Sequence, residues 1–218
     1  MNSQDMLVIL VSYFLGAIPF SYLIGRWRAG INIREYGEGN IGARNVYHVI
    51  GPAWGILACL LDTGKGLAAY LIADQLAFSR SIVLICGFVV PLGHNFSPFL
   101  RFRGGKGVAT TTGFLLGFLP LSTLVGGLLV ALAYWITRDM NKALVMGIPG
   151  VILLPPVFGA PWWTVPYTLS LFLMLGLKKI VDKSHERAVW ARAPWNEGRP
   201  GFHREPVEDA KENGRTGL

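Results

Sequence analysis

Seven apolar stretches run through this chain, most of them near the roughly 17 to 25 residues that a helix needs to cross about 30 Å of hydrocarbon. They are residues 6–26, 52–73, 81–100, 108–119, 121–137, 143–158 and 162–177. With 218 residues, 52% of them hydrophobic and only 15% charged, and a mean hydropathy of +0.43, a soluble fold could not hide so much apolar surface. The expectation is an all-α integral membrane protein with about seven transmembrane helices, one of them short. The short one is 108–119, which reaches only about 18 Å at 1.5 Å per residue and is ended by Pro120. The first stretch lacks a basic leader and a small-residue cleavage pattern, so it reads as a retained helix rather than a signal peptide.

Charge orients the bundle. If the segments alternate, every Lys and Arg except Lys65 and Arg80 falls on one side, which places the N-terminus outside and the C-terminus in the cytoplasm. The formal charge of +7 then belongs to a membrane face, and nucleic acid is not expected as a partner because no soluble basic domain would present it. Trp162 and Trp163 fall at the outer boundary, where amphipathic rings favour the interface. Residues 1–182 read as a polytopic membrane domain and 183–218 as a polar cytoplasmic tail, disordered over 205–218. Cys59 and Cys86 sit inside apolar segments as small hydrophobes, and no His or Cys cluster has metal-ligand spacing. No metal or cofactor is implied, and oligomeric state is not encoded in any recognisable pattern.

Chemistry concentrates in two glycine-rich basic turns. Gly93-His94-Asn95-Phe96-Ser97-Pro98 leads through Arg101 and Arg103 into Gly104-Gly105-Lys106-Gly107-Val108-Ala109-Thr110, from the end of one helix to the start of another. The glycines let backbone amides approach an anion, the helix N-terminus adds its positive end, Lys106 adds a full charge, and Thr110 offers a hydroxyl. The same residues would also serve as an ordinary turn with a cytoplasmic lysine. The spacing is not that of a nucleotide P-loop, which disfavours ATP. Gly37-Glu38-Gly39-Asn40-Ile41-Gly42-Ala43-Arg44-Asn45-Val46 repeats the device in the first basic loop, where a flexible loop with orientation charges is the alternative. Asp62 and Lys65, three residues apart in an apolar segment, either pair with each other or face a ligand, since ionisable groups at membrane depth rarely stand idle. His94 beside the second loop is a candidate for hydrogen bonding or proton exchange.

Together with Gly16-Ala17-Ile18-Pro19-Phe20 and Asp62-Thr63-Gly64-Lys65-Gly66, these segments resemble the bacterial membrane family of acyl-phosphate:glycerol-3-phosphate acyltransferases known as PlsY. The resemblance implies a bacterial inner-membrane enzyme of phospholipid synthesis. Such an enzyme moves a fatty acyl group from acyl phosphate to the sn-1 hydroxyl of glycerol 3-phosphate, releasing phosphate and lysophosphatidate within membrane lipid. By motif position, Lys106 with Gly104, Gly105 and Gly107 would hold the acyl-phosphate phosphate, Asn40 would shape the first loop and His94 would support the second. Gly39, Gly42, Arg44, Asn45, Glu38, His48, Asp62, Lys65 and Thr110 complete the candidate substrate-binding set.

Three positions depart from the family pattern. Glu38 stands where a serine is usual, Arg44 where a threonine is usual, and His48 where an arginine is usual. A carboxylate about 4 Å from a phosphate charge costs on the order of 4 kcal/mol at an effective dielectric near 20. Arg44 could offset it by pairing with Glu38 or by replacing the arginine missing at His48. The family's last motif is also altered, leaving Asn141, Lys179 and His185 as candidate substitutes. Two other readings follow: a non-catalytic relative that binds acyl phosphate or lipid, and a small anion transporter.

Overall fold

The computed structural model describes residues 2–76 and 79–192, so the expected disordered segment 205–218 lies outside the described residues. The helices are α1 (Ser3–Ala17), α2 (Phe20–Ile24), α3 (Ala43–Val49), α4 (Pro52–Gln75), α5 (Arg80–Asn95), α6 (Val108–Phe118), α7 (Pro120–Thr137), α8 (Met140–Leu153) and α9 (Thr164–Arg192). Five spans among the described residues are long and apolar enough to cross a membrane. Two others, α6 and α8, are shorter, where the sequence singled out only the first. In α8 the reason is Pro155-Pro156, which cannot continue a helix and turns the chain into a 3-10 segment, Pro155–Phe158. Helix α9 runs past position 182 to Arg192, so the expected domain boundary falls within continuous helix.

Small residues set the packing, as they must where neighbouring helices gain nothing from excluding lipid. A Cβ on Gly16 of α1 would sit 2.0 Å from the Val90 carbonyl oxygen of α5, and one on Gly93 would sit 2.1 Å from the Tyr13 carbonyl oxygen of α1. Gly66 and Gly113 pair α4 with α6 in the same reciprocal way. Bulky residues such as Leu60, Leu128, Trp135 and Leu173 point outward. Inside, Val90, Cys86, Phe114, Leu115 and Leu171 form the membrane core.

The first apolar stretch is not one straight helix. Pro19 denies its predecessor the α conformation, and Ile18 is extended (φ −60°, ψ 118°), which separates α1 from α2. The carbonyls freed at the break find side chains instead: Ser97 Oγ donates to Ala17 at 2.7 Å, and Lys65 Nζ donates to Ile18 at 2.9 Å. A second, smaller core of Ile24, Ile31, Ile33, Ile41, Val46, Ala58 and Leu100 lies under the first basic loop and holds it as folded structure. Helix α3 is part of that core and carries no apolar periodicity long enough to announce itself.

At the opposite end, α6 and α8 stop short and leave a cleft of about 330 Å³ lined by Phe118, Pro120, Pro155, Phe158 and Trp163. Arg80 lies over the Trp163 ring at 5.3 Å there. This cleft is remote from the basic loops.

Candidate active site

Asn45 builds the first loop. It is fully buried, its amide nitrogen reaches the carbonyls of Ile33, Tyr36 and Asn40 at 2.8 to 3.0 Å, and its Oδ1 accepts from the Glu38 amide at 2.8 Å. It therefore presents no free polar atom to a ligand, unlike the substrate contact that the sequence pointed to. Gly37 and Gly39 supply the left-handed turns (φ 59° and 67°) that let the chain wrap around it. Asn40 Oδ1 accepts from the Gly42 amide at 2.8 Å, just before α3, which fixes the Asn40 side chain and leaves its Nδ2 as a donor.

The second loop is tied to the C-terminal end of α5. The Gly104 amide donates to Asn95 O at 3.0 Å and the Gly105 amide to His94 O at 3.1 Å. These two amides are thus engaged within the protein, not aimed at an anion as the glycine pattern had implied. The glycines are needed for clearance: a Cβ on Gly104 would lie 1.9 Å from His94 O, and one on Gly105 would lie 2.2 Å from His94 Nε2. Gly107 takes φ 75° and turns the chain into α6, whose first-turn amides and dipole face the loop. Thr110 is completely buried, and its hydroxyl is enclosed within the bundle.

Beneath the loop lies a buried ionic cluster. Lys65 Nζ is 2.8 Å from Asp62 Oδ1 and 2.8 Å from His94 Nδ1, with its third contact on Ile18 O. All three side chains are almost wholly buried. Asp62, Lys65 and His94 therefore meet as one unit linking α4, α5 and the break after α1. Lys65 is held within the protein by the Ile18 carbonyl, His94 and the Asp62 charge.

Above the loop the two basic segments converge. Lys106 Nζ lies 2.7 Å from Glu186 Oε1, and Asn40 Nδ2 donates to the same oxygen at 3.1 Å. Glu38 and Arg44 pair at 2.8 Å, and Arg44 Nη1 donates to Asn141 Oδ1 at 3.3 Å, which brings the α7–α8 turn to the site. Arg34 spans the loops from below, donating to Leu100 O at 3.4 Å. Half-buried His48 follows in α3, where burial pushes its imidazole below the ordinary value; Glu38 opposes that shift and Arg44 adds to it. Lys179 and His185 stand exposed on α9. Glu186 and Arg34 were not singled out from sequence. Glu186 is 146 residues from Asn40, and no local spacing relates them.

Long apolar helices with basic loops gathered at one end define a polytopic membrane protein. The chain belongs to the glycerol-3-phosphate acyltransferase family, whose model matches residues 6–186. It is 39% identical over 177 residues to glycerol-3-phosphate acyltransferase 1 of Deinococcus radiodurans, covering 80% of this chain and 88% of the relative. To glycerol-3-phosphate acyltransferase of Desulforudis audaxviator it is 38% identical over 173 residues, covering 77% and 84%. Among solved structures, PlsY (YgiH), an integral membrane glycerol 3-phosphate acyltransferase, in its glycerol 3-phosphate form, superposes with a TM-score of 0.76 at 25% identity. That superposition covers 86% of this chain and 94% of that one. The lysophosphatidic acid form of the same protein gives 0.74.

Proposed function

We propose that this protein acylates glycerol 3-phosphate at its sn-1 hydroxyl, with acyl phosphate as the donor and Lys106 as the receiver of the donor's phosphate. The observation that carries the assignment is the convergence of Lys106 and Asn40, from separate loops, on a single anionic oxygen. The hydroxyl oxygen bonds to the acyl carbon and the bond from that carbon to the phosphate oxygen breaks. The hydroxyl proton ends on the departing phosphate or in water. No covalent acyl-enzyme is needed. The protein's part is to hold two reactants together and to stabilise charge growing on the phosphate, with Lys106 and the α6 N-terminus facing it.

The Glu38–Arg44 pair supports the same reading, because it neutralises the carboxylate that would otherwise repel a phosphate in the first loop. The basic loops are proposed to lie on the cytoplasmic face of a bacterial inner membrane, with the N-terminus outside, as the distribution of Lys and Arg favours. The test is phosphate release and lysophosphatidate formation from palmitoyl phosphate and glycerol 3-phosphate by the purified protein. Turnover that disappears in Lys106→Ala is expected. Product formation no greater than in that variant would reject the assignment, and binding of acyl phosphate without turnover would point to a non-catalytic relative.

A further inference from the structure

The site already holds one anion of its own. The Glu186 carboxylate takes the two donors, Lys106 and Asn40, that an incoming phosphate oxygen would need. It is carried there by the last turns of α9, which lie directly on the first loop. A Cβ on Gly39 would come within 3.0 Å of the Val189 side chain and 3.3 Å of the Glu186 Cα. This pair is not a loose surface contact, since the Lys106 and Glu186 side chains are only 23% and 18% exposed. A phosphate dianion cannot share those donors with a carboxylate, because like charges at contact distance repel and each donor proton has one best acceptor.

We propose that Glu186 is a built-in competitor that sets the site's affinity for phosphate esters. Its carboxylate holds Lys106 and Asn40 while substrate is absent and yields them to a phosphate on binding. A dianionic phosphate, with more charge and more acceptor oxygens, displaces it; a monoanionic carboxylate, no better than Glu186 itself, does not. The residue thereby screens weak anions from a cationic site open to a solution full of them. The proposal rests on the assignment of Lys106 as the phosphate receiver.

The full-length protein in lipid nanodiscs is assayed with palmitoyl phosphate and glycerol 3-phosphate, using inorganic phosphate and acetate as inhibitors. Glu186→Gln is expected to lower the inhibition constant for phosphate about fivefold, roughly 1 kcal/mol, and to make acetate inhibitory where it was not. Glu186→Asp, which keeps the charge, stays much closer to the natural protein. Unchanged or weakened phosphate inhibition in Glu186→Gln, with calorimetric phosphate binding lost in Lys106→Ala, overturns the competitor role and leaves the Lys106 assignment standing. Calorimetric phosphate binding that persists undiminished in Lys106→Ala overturns both. Because Glu186→Gln could unfold the end of α9, hydrogen exchange over residues 183–191 of the natural protein is measured as well. Inorganic phosphate should accelerate it, and exchange indifferent to phosphate contradicts the displacement of Glu186.

Discussion

Lys65 Nζ stands 2.8 Å from His94 Nδ1, and that contact ties the imidazole to the ion pair beneath the second loop. With Lys65 as an ammonium donating to Nδ1, a neutral imidazole carries its proton on Nε2, the nitrogen nearest Gly105. Lys65 donates to the Ile18 carbonyl, contacts His94 Nδ1 and pairs its charge with Asp62 Oδ1, an oxygen that has no hydrogen-bond partner. Removing one member strands the others in a medium of low dielectric. Asp62→Asn is expected to cost about 3 to 5 kcal/mol, read as a lowered midpoint of thermal unfolding in detergent. A Asp62→Leu, Lys65→Met double variant should recover part of that loss.

Glycine clearance under the second loop gives a sharp contrast within one protein. Gly104→Ala drives a methyl into the backbone oxygen of His94, which cannot move aside, so acyl transfer is expected to fall at least a hundredfold. Gly64→Ala, whose Cβ would meet nothing within 4 Å, should leave activity intact and stabilise α4 by a few tenths to about 1 kcal/mol. Measuring kcat/KM and unfolding midpoints of both checks the pair.

Arg44→Ala leaves the Glu38 carboxylate without its counter-ion. Stability should change by less than about 1 kcal/mol, because the pair is partly exposed. KM for the phosphorylated substrates should rise about tenfold or more. The double variant Glu38→Ser, Arg44→Thr should restore it, and a KM indifferent to all these changes would remove the first loop from phosphate binding.

Asn45→Ala removes a buried hub of four hydrogen-bond contacts. At about 0.5 to 1.5 kcal/mol each, the loss of roughly 2 to 6 kcal/mol should appear as faster hydrogen exchange over residues 31–51, with activity falling because Asn40 is no longer held.

His48 carries a pH dependence of definite sign. Its folded value lies below the unfolded one near 6.5, so the unfolded chain binds the proton first. The stability it contributes is complete above about pH 6.5 and is lost as pH falls toward the folded value. His48→Gln should flatten this part of the unfolding midpoint against pH, and an unaltered profile would show that the imidazole does not titrate on unfolding.

Much of this architecture was legible in the chain. Apolar runs located the membrane helices because a bilayer leaves no other place for them, and Pro120 marked the junction of α6 and α7 correctly. The Glu38–Arg44 pairing was also anticipated, since a carboxylate in an anion site requires a counter-ion close by. What sequence did not reveal depended on distance along the chain. Helix α3 is stabilised by a small core drawn from α2, α4 and Leu100, not by its own seven residues. Asn45 resembled a ligand contact because an amide that binds substrate and one that staples a loop have the same composition. Nothing near Glu186 marks it as the partner of Asn40, and the shortness of α8 follows from a proline pair beyond its end.

The brevity of α6 has a consequence for where the reaction takes place. Eleven residues rise about 17 Å, about half of the roughly 30 Å that a bilayer's hydrocarbon spans, and Lys106 stands two residues ahead of them. On the proposed role of Lys106, a reaction site beside so short a helix stays within reach of the leaflet while open to solution. A fatty acyl donor would then approach by lateral diffusion with its tail still in hydrocarbon, and the water-soluble acceptor would meet it from the other side.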